Sequence, residues 1–297
     1  MASPGRTLDA LRHEIDRIDD EIHDLLMRRT AVVAEIRRSK GRDNGSYLRL
    51  GREATILRRL VHRHSGNFPK AALVRIWREI IAALTQLQGP FSVAVFAPPE
   101  YPGYWDLARD HFGSATPMVR HATVDNVVRA ASEGPSVIGV LPYPHEASED
   151  PWWRYLASEE PDSLRVVARL PFISTGEAAR GENLTAIAIA RMEQEPTGRD
   201  RSFFAIETGS EVSRSRFIAA MKKVGFDPRF VGEWRDGDPK GTYLHLVEIA
   251  DLATANDPRF DRLREWEDGA IVRIIHVGGY AEPLSENELA ETIARDA

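Results

Sequence analysis

Arg29 lies seven residues after Ile22 and seven before Ile36, and Lys40 lies four after Ile36. Residues spaced by three, four and seven share one face of a helix, so both cations stand on the apolar line they interrupt. Arg12 sits beside that line, next to Leu11. Further on, Arg52 and Glu53 precede Ile56 and Leu57 by four, and Gln88 follows Leu84 by four. Four cations, one carboxylate and one amide are thereby directed toward a helical interior. Any one such arginine is most simply a side chain that snorkels to water or pairs with a nearby acid. The set is not accounted for in that way. Its cations outnumber its acids, and an unpaired buried charge is strongly unfavourable. An anionic ligand offsets that cost, and guanidinium forks suit carboxylates in two-point geometry.

The elements that carry these residues follow from the apolar period. Residues 8–40 contain no Gly or Pro, and Leu8, Leu11, Ile15, Ile18, Ile22 and Leu25 recur at alternating three and four. One helix of roughly 50 Å is implied at 1.5 Å per residue. That is too long for an ordinary surface helix, so a second chain is the expected neighbour. Residues 41–46 are a polar break. A second helix is predicted over residues 48–64, with Ile56, Leu57, Leu60 and Val61 on one face. A third follows Pro69, which is tolerated in a first helical turn, with Leu73, Ile76, Trp77, Ile80, Leu84 and Leu87 as its apolar side. Gly89-Pro90 ends it.

After Pro90 the pattern shortens to strands at residues 92–96, 118–121, 137–141, 164–170 and 184–190, with helices at 104–111, 124–132 and 152–158 between them. This is a small α/β unit. Pro196-Thr197-Gly198 reads as a linker. Beyond it the order is strand, helix, strand, strand, helix, strand, at 203–207, 215–224, 229–234, 243–249, 259–266 and 271–277, which is a ferredoxin-like sequence of elements.

Composition narrows the chemistry. The chain of 297 residues has room for two or three domains. It contains no cysteine, which excludes a disulfide framework, thiolate metal sites and a cysteine nucleophile. No signal-peptide pattern and no membrane-spanning run is read, so a cytoplasmic protein is expected. Residues 1–90 carry 17 Lys and Arg against 11 Asp and Glu, a net of +6, on a chain of net −6. The remainder is therefore at −12. A basic first domain implies an anionic partner. Its charges are spread along helices without a nucleic-acid motif, which favours a small anion over DNA or RNA. His62 and His64 read as a solvated helix end, Trp152-Trp153 as packing, and Glu149-Asp150 as a loop acid pair.

The stretches LRHEIDRIDDEIHDLLMRR, AEIRRSK, LRLGREATILRRL and IWREIIAALTQLQ, in that order between Thr7 and Gln88, resemble the all-helical chorismate mutase domain. In particular they are similar to the version fused to prephenate dehydratase in bacteria. The resemblance implies two chains interlocked through the long first helix to make two sites. Arg29, Lys40, Arg52, Glu53 and Gln88 of each site come from one chain and Arg12 from its partner. It also implies a pericyclic rearrangement of a dianionic small molecule, chorismate, to prephenate, with no cofactor, metal, nucleic acid or membrane involved. Arg12, Arg29 and Arg52 would hold the carboxylates. Lys40 and Gln88 would donate to the ether oxygen as charge grows on it, and Glu53 would meet the ring hydroxyl. Two substrate-binding positions depart from the pattern: Arg49 stands where some relatives have an acid, and Leu84 where some have a serine.

Residues 92–101, TVDNVVRAASEGPSVIGVLP and NLTAIAIARMEQEPTGRDRS resemble the first lobe of a prephenate dehydratase and its exit. The dehydratase Thr-Arg-Phe signature falls on Thr185-Ala186-Ile187, and its glycine-threonine element is replaced at residues 100–103. The segment between is too short for a second lobe. The closing HVGGY and the element order resemble an ACT regulatory domain, with Ser213-Arg214-Ser215 and Glu233-Trp234-Arg235-Asp236 in place of the elements that bind phenylalanine in the fused enzyme. The expected fold is thus α+β and multidomain. It comprises a three-helix, intertwined-dimer mutase domain at residues 7–90, a truncated dehydratase-like α/β lobe at 91–196 and a ferredoxin-like, ACT-type domain at 200–284. All candidate residues lie in the first, so that domain is expected to be self-sufficient. A bifunctional mutase–dehydratase and a non-catalytic aromatic-pathway regulator are the alternatives. The missing lobe weighs against the former and the cationic seam against the latter.

Overall fold

The computed structural model describes residues 6–40, 47–134, 136–146, 151–173, 184–235, 241–266 and 270–290. Helix α1 spans Leu8–Lys40. Thr7 Oγ1 accepts from Ala10 N at 3.2 Å, satisfying one of the free amides of the first turn. Its apolar line is left open within the chain: Leu8 and Leu25 are each 62 % exposed, and Ile15, Ile18 and Ile22 are exposed as well. Helix α2 is Leu50–Arg63 and α3 is Lys70–Gln88. Among the described residues no helix is long and apolar enough to cross a membrane.

The α/β part runs β1 (Ser92–Phe96), α4 (Gly103–Phe112), β2 (Met118–His121), α5 (Val124–Ser132), β3 (Val137–Pro142), β4 (Arg165–Leu170) and β5 (Ala186–Ala190). Strands β1, β2 and β3 are parallel, as helical crossovers require. Strand β5 runs antiparallel to both β3 and β4. Residues 152–158, expected as a helix, instead form a short 3-10 segment at Trp152–Leu156. There both tryptophans and Leu156 are buried in the core on one face of the sheet.

The last part runs β6 (Asp200–Thr208), α6 (Arg214–Lys223), β7 (Pro228–Arg235), β8 (Tyr243–Ile249), α7 (Pro258–Arg264), β9 (Ile271–Ala281) and α8 (Glu286–Leu289). Its strand order β9-β6-β8-β7 is that of a ferredoxin-like module. Strand β9 extends past the expected Val277 because Gly278 joins the two parts, pairing in parallel with Val166 of β4. A Cβ on Gly278 would stand 2.3 Å from Val166 O, and its φ is +101°. Only glycine tolerates both conditions. The result is one nine-stranded sheet, β2-β1-β3-β5-β4-β9-β6-β8-β7.

Side chains alternate across a strand, and β6 uses both faces. Phe204 and Ile206 pack under α6 and α7 with Phe217, Met221 and Phe260. Phe203 and Ala205 face the other way, into a core shared with Trp152, Trp153 and Leu156 of the α/β part. The face of these strands opposite α6 and α7 is therefore covered by the 3-10 segment of the α/β part.

The helical part is not free-standing either. Ala54, Leu57 and Val61 of α2 and Val74 of α3 pack with Phe172, Ile173 and Leu284. Leu48 and Leu50 join Val93, Val95, Tyr104 and Phe112. The apolar side expected for α3 is also rotated. Val74, Arg78, Ile81, Ala82 and Thr85 are buried with Leu84, whereas Ile76 and Leu87 are 45 % and 58 % exposed. The helix has two apolar faces. The one turned to α2 and α4 is covered, and the one expected from the sequence is only partly covered, with Leu73, Trp77 and Ile80 half-buried.

Candidate functional site

Arg29 is half-buried on α1, and its Nη1 is fully buried with no hydrogen-bond partner among the described residues. Burial alone pushes its pKa below the ordinary arginine value. A guanidinium nitrogen in that state is a cation waiting for an acceptor. Arg12, by contrast, is in water, 3.5 Å from Asp9 Oδ1 with its side chain 66 % exposed. The seventeen positions between Arg12 and Arg29 place them about 25 Å apart along a straight helix, so one chain cannot bring both to one small ligand. Lys40 is the last residue of α1, and its side chain lies outside the described residues. The end of α1 docks on the end of α3, where Arg37 Nη1 donates to Leu87 O at 2.8 Å. Gln88 is adjacent and half-buried, and its Nε2 donates to Leu84 O at 3.3 Å. Leu84 itself is buried.

On α2 the two adjacent charges diverge. Arg52 is exposed and Glu53 is buried. Glu53 does not face a surplus of cations, as the sequence pattern implied. It has a cation of its own in Arg78, whose Nη1 donates to Oε2 at 2.9 Å with both side chains buried. Arg78 lies over the Phe172 ring at 5.1 Å. Burial raises the Glu53 carboxyl above its ordinary value against the pull of Arg78. His111 of α4 is buried nearby, its Nε2 without a hydrogen-bond partner among the described residues, and it is held well below its ordinary pKa by burial and then by Arg78. Arg49 precedes α2 and pairs with Glu195, which also reaches the backbone of Arg52.

Within one chain, then, Arg29 and Gln88 stand on α1 and α3, which pack together. Arg52 is on the outer side of α2, Glu53 is turned to Arg78, and Arg12 is at the far end of α1. The sequence reading missed Arg78, His111 and Glu195. Arg78 had a local signal, four residues from both Val74 and Ala82 on the covered face. Glu195 had none, since nothing in the order of residues brings it to α2.

In the rest of the chain, Thr185 O accepts from Tyr143 N at 2.9 Å, and Ala186 and Ile187 are fully buried strand residues. Ser213 caps α6, and Arg214 covers the Phe230 ring at 3.7 Å while pairing with Glu146. Glu149, Asp150 and Asp236 lie outside the described residues. His62 is exposed and His64 half-buried. Among the described residues no group of three or more His, Asp and Glu is placed to hold a metal.

Residues 11–89 match the family model described as Chorismate mutase type II, so the helical part is a domain of that type. Two curated relatives are bifunctional chorismate mutase/prephenate dehydratases. The protein of Pseudomonas aeruginosa is 29% identical over 140 residues, 46% of this chain and 38% of that protein. The protein of Aquifex aeolicus is 38% identical over 95 residues, 31% of this chain and 26% of that one. The matched stretch thus spans well under half of either relative. Among solved structures, a prephenate dehydratase from Streptococcus mutans is similar with a TM-score of 0.46 at 14% identity, covering 65% of this chain and 98% of that one.

Proposed function

We propose that the chain is a chorismate mutase, rearranging chorismate to prephenate in aromatic amino-acid biosynthesis without a cofactor. The observation that carries this reading is the buried Nη1 of Arg29, without a hydrogen-bond partner among the described residues, within a domain of the mutase type. The substrate's carboxylates are the acceptors that such a nitrogen needs. Arg29 and Arg52 of one chain and Arg12 of a second chain would clamp the dianion and hold its side arm over the ring, a gain in proximity. Lys40 and Gln88 would donate to the ether oxygen, where charge develops mainly in the transition state. Glu53, with a carboxyl raised by burial, is assigned to the ring hydroxyl and would turn from Arg78 to reach it.

Two features support a homodimer through α1. Its apolar line is exposed in the single chain, and Arg12 is too far from Arg29 to act in the same chain. On the same reading, residues 91–196 are a dehydratase remnant and residues 200–284 an ACT-type module retained as framework. The test is to follow prephenate formed by the purified protein from chorismate, beside Lys40→Ala. Loss of one donor to developing charge typically costs about 10²–10³ in kcat. A wild-type protein without turnover removes the reading. A Lys40→Ala variant with near-normal turnover removes the role of Lys40.

A further inference from the structure

Helix α2 starts at Leu50 after Arg49, which offers no side-chain cap. The first amides of a helix need acceptors, and here one comes from far along the chain. Glu195 Oε2 accepts from Arg52 N at 3.2 Å, and its Oε1 accepts from Arg49 Nε. A carboxylate at this end of a helix is also favoured by the helix dipole. The Glu195 side chain is only 23 % exposed, whereas Arg49 is 55 % exposed, so the carboxylate is the sheltered member of the pair. Gly51 is fitted to it, since a Cβ there would stand 2.6 Å from the Glu195 Cβ.

A second hold lies further along α2. Arg58 donates to Thr197 Oγ1 at 2.8 Å, to Arg199 O at 2.8 Å and to Glu282 O at 2.5 Å. Residues 195–199, which lead from β5 into β6, therefore run beside α2 and grip it at two levels. The helix that carries Arg52 and Glu53 is oriented from outside the helical domain.

We propose that Glu195 is a positioning residue for the mutase site, acting through Arg49 and the first turn of α2 to fix Arg52. This rests on the mutase reading of residues 7–90. Arg52 is exposed, so its reach depends on where its backbone is held, and small displacements of a substrate-clamping group cost rate disproportionately. Pairing also neutralises Arg49, a cation that would otherwise compete with Arg52 for a substrate carboxylate. Glu195 in turn is prevented from repelling the dianion.

The experiment uses the full chain with Glu195→Ala and Glu195→Gln. Steady-state turnover of chorismate, hydrogen exchange over residues 50–56 and the thermal midpoint are measured together. For Glu195→Ala, kcat/KM is expected to fall about tenfold, the equivalent of one charge-assisted hydrogen bond. Exchange at the start of α2 should accelerate, while the midpoint moves by no more than about 4 °C. Glu195→Gln keeps an acceptor for Arg52 N and should recover part of both losses. Unchanged kcat/KM in Glu195→Ala overturns the proposal, as does lost activity with unchanged exchange at α2. If the wild type itself does not turn over chorismate, the mutase reading falls. The exchange data then still decide whether Glu195 holds α2.

Discussion

Arg78 is the residue on which the interior of the helical part turns. Its guanidinium is buried against Glu53 and the face of Phe172, and burial lowers its pKa while Glu53 raises it. Removing one member of a buried pair strands the other charge, which typically costs about 3–5 kcal/mol. Arg78→Met should therefore lower unfolding stability by about that amount at neutral pH, and adding Glu53→Gln should return much of it, as urea titrations would show. The pH dependence has a definite sign. Burial already raises the Glu53 carboxyl above 4.5, so the folded chain holds that proton more tightly than the unfolded one. Stability linked to it is present below about 4.5 and is lost as pH rises through the raised value. Without Arg78 the raise is larger, so Arg78→Met should regain stability toward acid. A variant within 1 kcal/mol of wild type at pH 7 would show the pair to be dispensable. At this scale the sequence told which residues break an apolar pattern, because Arg29 and Glu53 sit on periodic lines. It did not tell whether a partner was at hand. Glu53 had Arg78, while Arg29 Nη1 has no hydrogen-bond partner among the described residues, although both positions look alike in a helical period.

Helix α1 shows what an element can and cannot reveal. Its length and period were legible because no Gly or Pro interrupts residues 8–40, and its ends agree with the structure. The second and third helices were legible to within two residues, yet the covered face of α3 was not. That helix is apolar on two sides, and only tertiary packing decides which side α2 and α4 take. The open line of α1 leads to a prediction that needs no new contact. If Arg12 of one chain serves the site of the other, dimers that pair an Arg12→Ala chain with an Arg29→Ala chain hold one intact and one doubly damaged site. Each variant alone should be nearly inactive. Unfolding and refolding them together should restore about a quarter of wild-type activity, since half of randomly paired dimers are mixed and each has one good site of two. Sedimentation would establish the dimer in each sample. No recovery in demonstrably mixed dimers would place Arg12 and Arg29 outside a shared site.

At the scale of the whole molecule, three helices, an α/β run and a ferredoxin-like run follow one another, and the strands of the last two share one sheet. Each junction is made by residues remote in sequence: Val166 with Gly278 in the sheet, Trp153 beneath the ferredoxin-like strands, and Phe172 and Leu284 against α2. Local periodicity cannot report such pairings, because a residue that packs against a distant neighbour looks the same as one that packs within its own unit. The consequence falls on residues 1–90. Cut away from the rest, they would expose Leu48, Leu50, Leu57, Val61 and Val74, all buried in the full chain. At roughly 1.5–3 kcal/mol for each large apolar side chain returned to water, that loss is comparable with the whole stability of a small domain. It also removes the Glu195 and Phe172 contacts that hold α2 and Arg78. The fragment should accordingly be helical by circular dichroism but loosely packed. It should bind a hydrophobic dye, lack a cooperative melting transition and turn over chorismate far more slowly than the full chain. Adding the separately expressed remainder, residues 91–290, should quench the dye signal and recover activity in proportion to complex formed. A fragment that melts cooperatively and matches the full chain in kcat/KM would mean that the contacts across α2 and α3 are incidental. The open face of α1 would then be sufficient, once paired with its copy, to organise the site alone.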